Sequence, residues 1–532
     1  MKKTIKYIAL LAIGTSLVVS CDPEFENELD SREPASSGSA DFSKYVAIGN
    51  SLTAGLADNS LYIDGQLAAY PNILAEQMKF AGGGEFTIPL AASNAGGLTV
   101  AGQEVLSACS GTNRFPRRSA LGIVDGERGL VPFSGTGAPT EATTVLSGPF
   151  NNMGVPGAKS FHLLAPGYGN MANLPDNANP FFVRMASSPD TRIIDDALAQ
   201  NPTFFTLWIG NNDTLDYATS GGVTTADNAA CGGDITDATL FTQAVGGTVM
   251  ALMDNTAAKG VLINLPSVTD IPFFTTVPYN PLPLVAAQVT PLKGLEALHN
   301  GAIGIALQSG LITPAEFQSR LLSYEAVPNN SILTKDEALT DLTAFMSMNL
   351  PAIAAGAGVT LSPQEAGAIA LALGQARQTN ENDLVVLTAS GQLGIEVNPA
   401  TGEPMAGTTF FTGINYPADG AVLEPIEQEA IATAQETFNG VIAGLVEANP
   451  DRLALFDAKS FLNEVATTGL AADGGVLTST FATGGTFSLD GVHLTPRANA
   501  VIANGLIDVI NAKFGSSLTK VEAGRFKTIT VE

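Results

Sequence analysis

Histidine and cysteine are scarce, at three residues each in a chain of 532, and tryptophan occurs once. So few imidazoles and thiols leave little material for metal sites, and any histidine inside a catalytic pattern carries unusual weight. Cations are short as well: 25 Lys plus Arg stand against 51 Asp plus Glu, a formal net charge of −26. A protein that grips nucleic acid needs a basic patch to displace phosphate counterions, so this balance excludes that partner. Charge of either sign is thin, at 14% of residues against 45% hydrophobic, which describes a chain that buries a large core. Glycine and proline, by contrast, number 55 and 30, implying many turns and long connections. The length allows two to four domains.

The first 20 residues read as an address. Lys2, Lys3 and Lys6 precede an apolar run from Tyr7 to Val19, followed by Ser20 and Cys21, the pattern of a secretory signal peptide. Val18-Val19-Ser20-Cys21 resembles the lipobox of bacterial lipoproteins, in which the cysteine becomes the lipidated first residue. Cleavage there removes the three lysines and takes the formal charge from −26 to −29. Residues 21–40 are acidic and then rich in Ser, Gly and Pro, a flexible tether between lipid and body. The acidic tract behind Cys21 resembles the surface-export signal of some outer-membrane lipoproteins. The expectation is an exported chain, lipid-anchored at the outer membrane or cell surface. No later stretch is long and apolar enough to span a bilayer. Cys109 and Cys231 are then a candidate disulfide in an oxidising compartment, the alternative being two separate buried thiols.

Buried strands are expected at 44–48, 203–209, 260–265 and 453–456, and helices at 238–253 (capped by Asp237), 426–448 and 496–514. Strands alternating with helices imply βαβ units and a parallel sheet with helices on both faces. In such sheets functional groups collect where the strands end. Two regions of the body, 41–532, break the alternation and read as insertions. Residues 56–150 are rich in Gly, Ser and Thr with little clear period. Residues 285–420 contain helix-like pieces at 295–307, 314–324, 335–348 and 363–376 and a strand-like piece at 384–387, enough for a helical cap or subdomain.

Ser51 follows the first strand directly, in Ile48-Gly49-Asn50-Ser51-Leu52. A serine at that place exposes its hydroxyl at the sheet edge, although serine also caps helices without doing chemistry. Before the last helix stands Asp490-Gly491-Val492-His493. A carboxylate three residues before an imidazole can hold it in the tautomer a general base needs; the plainer reading is a turn-capping Asp beside a solvated His. The strand at 203–209 runs into Gly210-Asn211-Asn212-Asp213, and residues 151–160 read Asn-Asn-Met-Gly-Val-Pro-Gly-Ala-Lys-Ser. Other motifs fail. No G-x-S-x-G surrounds Ser51, as an α/β-hydrolase elbow requires. Gly157-Ala158-Lys159-Ser160 lacks the form of a phosphate loop. His162 and His299 have no metal-ligand spacing, and Trp208 reads as core.

In this order, the four blocks resemble those of the SGNH (GDSL-type) esterase and lipase family: G-D-S-L around the nucleophile, a glycine block, G-x-N-D and D-x-x-H. The resemblance covers 41–60, 145–275 and 420–515, about half the chain. It implies a flavodoxin-like three-layer α/β/α fold with a parallel sheet, and ester hydrolysis without metal or organic cofactor. It assigns Ser51 as nucleophile, with Asp490 and His493 completing the triad. Gly157 and Asn212 become oxyanion donors beside the Ser51 amide. Gly157 is preferred over Gly154 because the family's glycine lies five residues after an asparagine, here Asn152. Asn152, Gly210 and Asp213 become supporting residues. One departure is Asn50, which stands where the family has Asp. The substrate expected is a lipid or carbohydrate ester, met outside the cytoplasm. A competing expectation is a catalytically weak surface lipoprotein that binds glycan or lipid through its insertions.

Overall fold

The computed structural model describes residues 35–402, 405 and 409–532. The signal peptide, Cys21 and the tether up to residue 34 lie outside the described residues. Residues 36–40, read from sequence as part of the tether, instead dock on the C-terminal end of the last helix. There the Ser39 N–H donates to Phe514 O (2.7 Å), and Gly38 sits at φ +61° against the Phe514 carbonyl, where a Cβ would clash.

Five parallel strands form the centre: β1 (Tyr45–Gly49), β2 (Asn152–Gly154), β3 (Phe204–Trp208), β4 (Lys259–Ile263) and β5 (Leu453–Phe456). Their spatial order is β5-β4-β3-β1-β2, so the chain steps outward in both directions from the β1/β3 pair. Register aligns Gly49 with Gly154 on one side and with Trp208 on the other, which brings the chain after three strands to one end of the sheet. That end is the carboxyl end, and the gap between β1 and β3 is the switch point where doubly wound sheets leave a crevice.

Alternation along the strands feeds two cores. Tyr45, Ala47, Phe204, Trp208 and Val261 face one apolar cluster, whereas Val46, Ile48, Phe205, Leu207 and Leu262 face another. Helices flank both faces, an arrangement compatible with a three-layer α/β fold. For the account below they are α1 (Ser51–Ala54), α2 (Tyr70–Lys79), α3 (Asn212–Thr219), α4 (Ala238–Asn255), α5 (Ala286–Gln308), α6 (Thr343–Gly356), α7 (Pro363–Leu373), α8 (Pro425–Ala448) and α9 (Pro496–Phe514). The first face is covered by α2 and α9, through Tyr70, Leu74, Ile502 and Leu506, and the second by α4 and α8, through Phe241, Val245, Phe438 and Ile442. The Phe241 and Phe438 rings stack at 3.9 Å.

Three elements differ from the sequence expectation. β2 is a strand of three residues containing Asn and Gly, too short to show a period. α2 lies inside the region 56–150 that shows little pattern, yet its buried Ile73, Leu74 and Met78 make it part of the main core. Within 285–420, the helix expected from residue 335 begins at Thr343. Leu333–Lys335 is instead a strand paired with Ala376–Gln378, and buried apolar positions at helical spacing start only with Met346 and Leu350. This second insertion is continuous with the first-face cluster through Ile303, Met346 and Ala370. No helix among the described residues is long and apolar enough to cross a membrane.

Candidate active site

Ser51 leaves β1 through a single helical turn. Asn50 caps that turn, its side-chain oxygen accepting from the Leu52 N–H (3.0 Å), while its amide donates to Asn211 Oδ1 (3.0 Å). A carboxylate here could pair with Asn211 only as acceptor, with the Asn211 amide turned over; the asparagine both caps α1 and ties it to the loop after β3. As the first residue of a helix, Ser51 has an N–H without an intrahelical acceptor.

The Ser51 hydroxyl meets His493 Nε2 at 2.8 Å, and His493 Nδ1 lies 2.9 Å from Asp490 Oδ2. With Nδ1–H donating to the carboxylate, Nε2 is left to accept from Ser51. The residues concerned are 442 positions apart in sequence. Asp490 also accepts from the backbone N–H groups of Val492 (2.9 Å), His493 (2.8 Å) and Asn59 (3.1 Å). Burial alone would raise its pKa, but the His493 charge and these hydrogen bonds outweigh burial and hold the carboxyl well below its ordinary range. It therefore stays ionised where an imidazolium must be stabilised.

Asn212 opens α3, and its side-chain amide donates to Ala158 O at 2.9 Å. That bond fixes it beside the Gly157 loop and leaves its second N–H for another acceptor. Gly157 adopts φ +79°, and Asn179 Nδ2 holds the preceding Pro156 carbonyl at 2.7 Å. Asn152 bridges β2 to α1, accepting from the Gly154 N–H (2.9 Å) and donating to Thr53 O (2.9 Å). Gly154 itself packs against the Thr53–Ala54 backbone, where a Cβ would come within 2.3 Å of Ala54 N. Gly210, at φ +116°, turns the chain between Phe241 and Leu265. Asp213 is buried and accepts from the Ser160 N–H (2.8 Å) and hydroxyl (2.5 Å). Burial pushes its pKa up against the opposing pull of those bonds.

Ser51, Gly157, Asn212 and His493 line one cleft of about 230 Å³. Its walls come from the first insertion and the β2 and β3 loops: Leu56, Leu61, Leu98, Phe115, Phe181 and Leu215. Residues 285–420 supply none of its lining. They reach the Asp490–His493 loop from behind through Leu387, whose side chain lies over Gly491 at φ +72°; Phe273, ahead of the insertion, donates its N–H to the Gly491 carbonyl (3.0 Å). Cys109 and Cys231 form a disulfide across 122 positions. It joins the segment carrying Phe115 to the connection between α3 and α4, and so anchors one cleft wall to the body.

The other two histidines stand apart from this chemistry. His162 Nδ1 accepts from the Lys159 N–H (2.9 Å) and the ring stacks on Tyr168 at 4.1 Å. His299 is fully buried in α5, with Nε2 2.9 Å from Arg320 O. Burial lowers the pKa of each to about 4.

Sequence reasoning missed Asp58 and Asn59. Both hold positive φ, 53° and 67°, which Asp and Asn tolerate better than other residues with a Cβ. Asp58 Oδ1 accepts from the Leu489 N–H (3.0 Å), Oδ2 accepts from the Tyr62 hydroxyl (3.1 Å), and the Asp58 N–H donates to Ser488 Oγ (3.0 Å). Together they clamp the loop that carries Asp490 and His493, and only two left-handed polar residues in succession hint at it in sequence. Burial, with Asp490 adding to it, raises the Asp58 pKa from 3.8 to about 6 despite those donors. A carboxyl with a raised folded pKa holds a proton that the unfolded chain has released. Its contribution is therefore fully present below about pH 4 and lost as pH rises through about 6, roughly 3 kcal/mol in all. Asp58→Asn can keep both side-chain bonds with Tyr62 reversed as acceptor. Its Tm relative to the parent chain is expected to rise as pH increases from 4 to 7, as followed by thermal melts. A difference independent of pH would show that Asp58 is not the group responsible.

No protein-family model, curated protein or solved structure matches this chain.

Proposed function

We propose that this protein is a serine ester hydrolase of the SGNH (GDSL) kind, working through Ser51, His493 and Asp490. The observation that carries the reading is the unbroken hydrogen-bonded line from Asp490 through His493 to Ser51, placed at the carboxyl end of the sheet beside Gly157 and Asn212. Ser51 attacks an ester carbonyl as His493 takes its proton, and Asp490 stabilises the imidazolium. The Ser51 and Gly157 amides and the Asn212 side chain receive the oxyanion. His493 then protonates the departing alcohol. Water, activated by the same histidine, releases the acid from the acyl-enzyme. No step in this scheme calls for a metal or organic cofactor.

From the signal-peptide pattern and the lipobox-like Val18-Val19-Ser20-Cys21 we infer that the chain is exported and lipid-anchored at Cys21. The Cys109–Cys231 disulfide supports export, since such bonds persist in oxidising compartments.

Cleft size supports a substrate with a short acyl group. A space of about 230 Å³ is below the usual range for drug-sized ligands, and one of its walls, the segment carrying Phe115, is secured by the disulfide. Nitrophenyl esters of two to six carbons are expected to be the best substrates, with kcat/KM falling about tenfold or more by twelve carbons. An alkyl fluorophosphonate is expected to add covalently to Ser51, read by peptide mass spectrometry. Absence of that adduct, with no hydrolysis of any chain length, would overturn the proposal.

A further inference from the structure

The second insertion contains a separate cavity of about 1160 Å³, some five times the volume of the catalytic cleft. One stripe of α5 presents Ala287, Pro291, Gly294 and Leu298 to it, at spacings of four, three and four residues. Ile353 from α6 and Ile369 from α7 close its sides. No Asp, Glu, Lys, Arg or His lines it among the described residues, in a chain whose net charge is −26. Its polar side chains are three, Gln288, Thr409 and Asn415, and two of them bond backbone. Gln288 accepts from the Val285 N–H (3.0 Å). Asn415 accepts from the Phe411 N–H (2.7 Å) and donates to Thr409 O (2.8 Å).

An apolar hollow of this size is not residual packing, because protein interiors leave few voids larger than a water molecule. A Cβ built on Gly294 meets nothing within 4 Å, so the α5 stripe faces open space rather than a neighbouring element. With no charge and few polar side chains in its lining, the hollow offers an entrant mainly dispersion and the removal of apolar surface from water. A charged head group would find no counter-ion inside and would face the field of an acidic protein.

We infer that this cavity is a second binding site, distinct from the catalytic cleft, for the hydrocarbon chain of a neutral single-chain lipid. The head group stays at the rim, in water. The site takes up the chain without cleaving it, since Ser51, His493 and Asn212 line the other cleft. This assignment does not depend on the esterase reading.

The test is equilibrium binding of radiolabelled 1-O-hexadecylglycerol, an ether lipid without an ester bond, to the full chain. Binding of one molecule per chain is expected, weakened tenfold or more in Gly294→Trp and by a smaller factor in Gly294→Leu. Leucine favours the helix over glycine, so this variant preserves the readout if the tryptophan variant does not fold. Leu98→Trp, which fills the catalytic cleft, is expected to leave binding unchanged. Hexadecanoate at pH 8 is expected to bind more weakly than the neutral lipid. The inference is overturned by an absence of saturable binding, by unchanged binding in both Gly294 variants, or by loss of binding in Leu98→Trp. It is equally overturned if sedimentation shows that the parent chain dimerises and Gly294→Trp does not, since the hollow would then seat a second copy.

Discussion

Ser51→Ala is expected to lower kcat for short-chain nitrophenyl esters by a factor on the order of 10⁴–10⁶, and His493→Ala by about as much. The two losses should not add. The hydroxyl and the imidazole share one proton across a 2.8 Å contact, so removing either removes the same activated nucleophile. The double variant should therefore match the singles, retaining only the rate that oxyanion donors and binding provide. Asp490→Asn preserves shape but reverses the hydrogen bond at His493 Nδ1, so the wrong tautomer faces Ser51; a loss of about 10⁴ is expected. KM should change little in all of these, because the cleft walls at Leu61, Leu98 and Phe181 are untouched. Steady-state kinetics on the parent chain and four variants decides the matter. Ser51→Ala within tenfold of the parent chain would remove Ser51 from the chemistry.

Arg377→Met is expected to be the most damaging single change for stability. Arg377 is nearly buried and bonds Asp383 through two nitrogens (2.7 and 2.8 Å) and Asp336 through Nε (2.5 Å). Glu424 Oε1 lies 3.6 Å away. Burial, then the neighbouring Asp336, raises the Glu424 pKa to about 9, so this carboxyl is neutral at pH 7 and the guanidinium is matched there by two carboxylates. Removing the cation while they remain buried typically costs about 3–5 kcal/mol, which for a chain of this size corresponds to a Tm lower by roughly 3–5 °C. Thermal melts of the two chains at pH 8 provide the check. A deficit below about 1 kcal/mol at pH 8 would mean the network relaxes or hydrates freely.

Arg377, in the strand at Ala376–Gln378, lies beside Glu424, the residue before α8, and α8 packs under the sheet through Phe438 and Ile442. The second insertion is joined to the body by apolar contact, through Ile303, Met346 and Ala370. Its Leu387 meets Gly491 between Asp490 and His493. The insertion, while absent from the cleft walls, packs against the loop that carries Asp490 and His493.

Much of the scaffold was legible in the chain itself. Strands β1, β3, β4 and β5 are short runs, almost wholly apolar and buried on both faces, with Thr206 in β3 and Lys259 at the start of β4 as exceptions, and such runs stand out in the chain. The limits of α9 follow from Thr495, Pro496 and Gly515, a cap, a helix-starting proline and a left-handed terminator. Ser51, Asp490 and His493 could be singled out because local chemistry marks each one: a strand end, and a carboxylate three residues from an imidazole; Asn212 was marked only by the resemblance of its block to the family's. What local pattern does not contain is whatever long-range contact creates. β2 exists because β1 offers it a ladder, α2 because the sheet and α9 bury its face, and the role of Asp58 because residue 489 folds back onto it across 431 positions. The pairing of Cys109 with Cys231 is of the same kind, as is the closing of the cleft by the first insertion rather than the second. Propensity and periodicity act over one or two turns of chain. The distance between Ser51 and His493 is a property of the whole sheet, and only its closure set it.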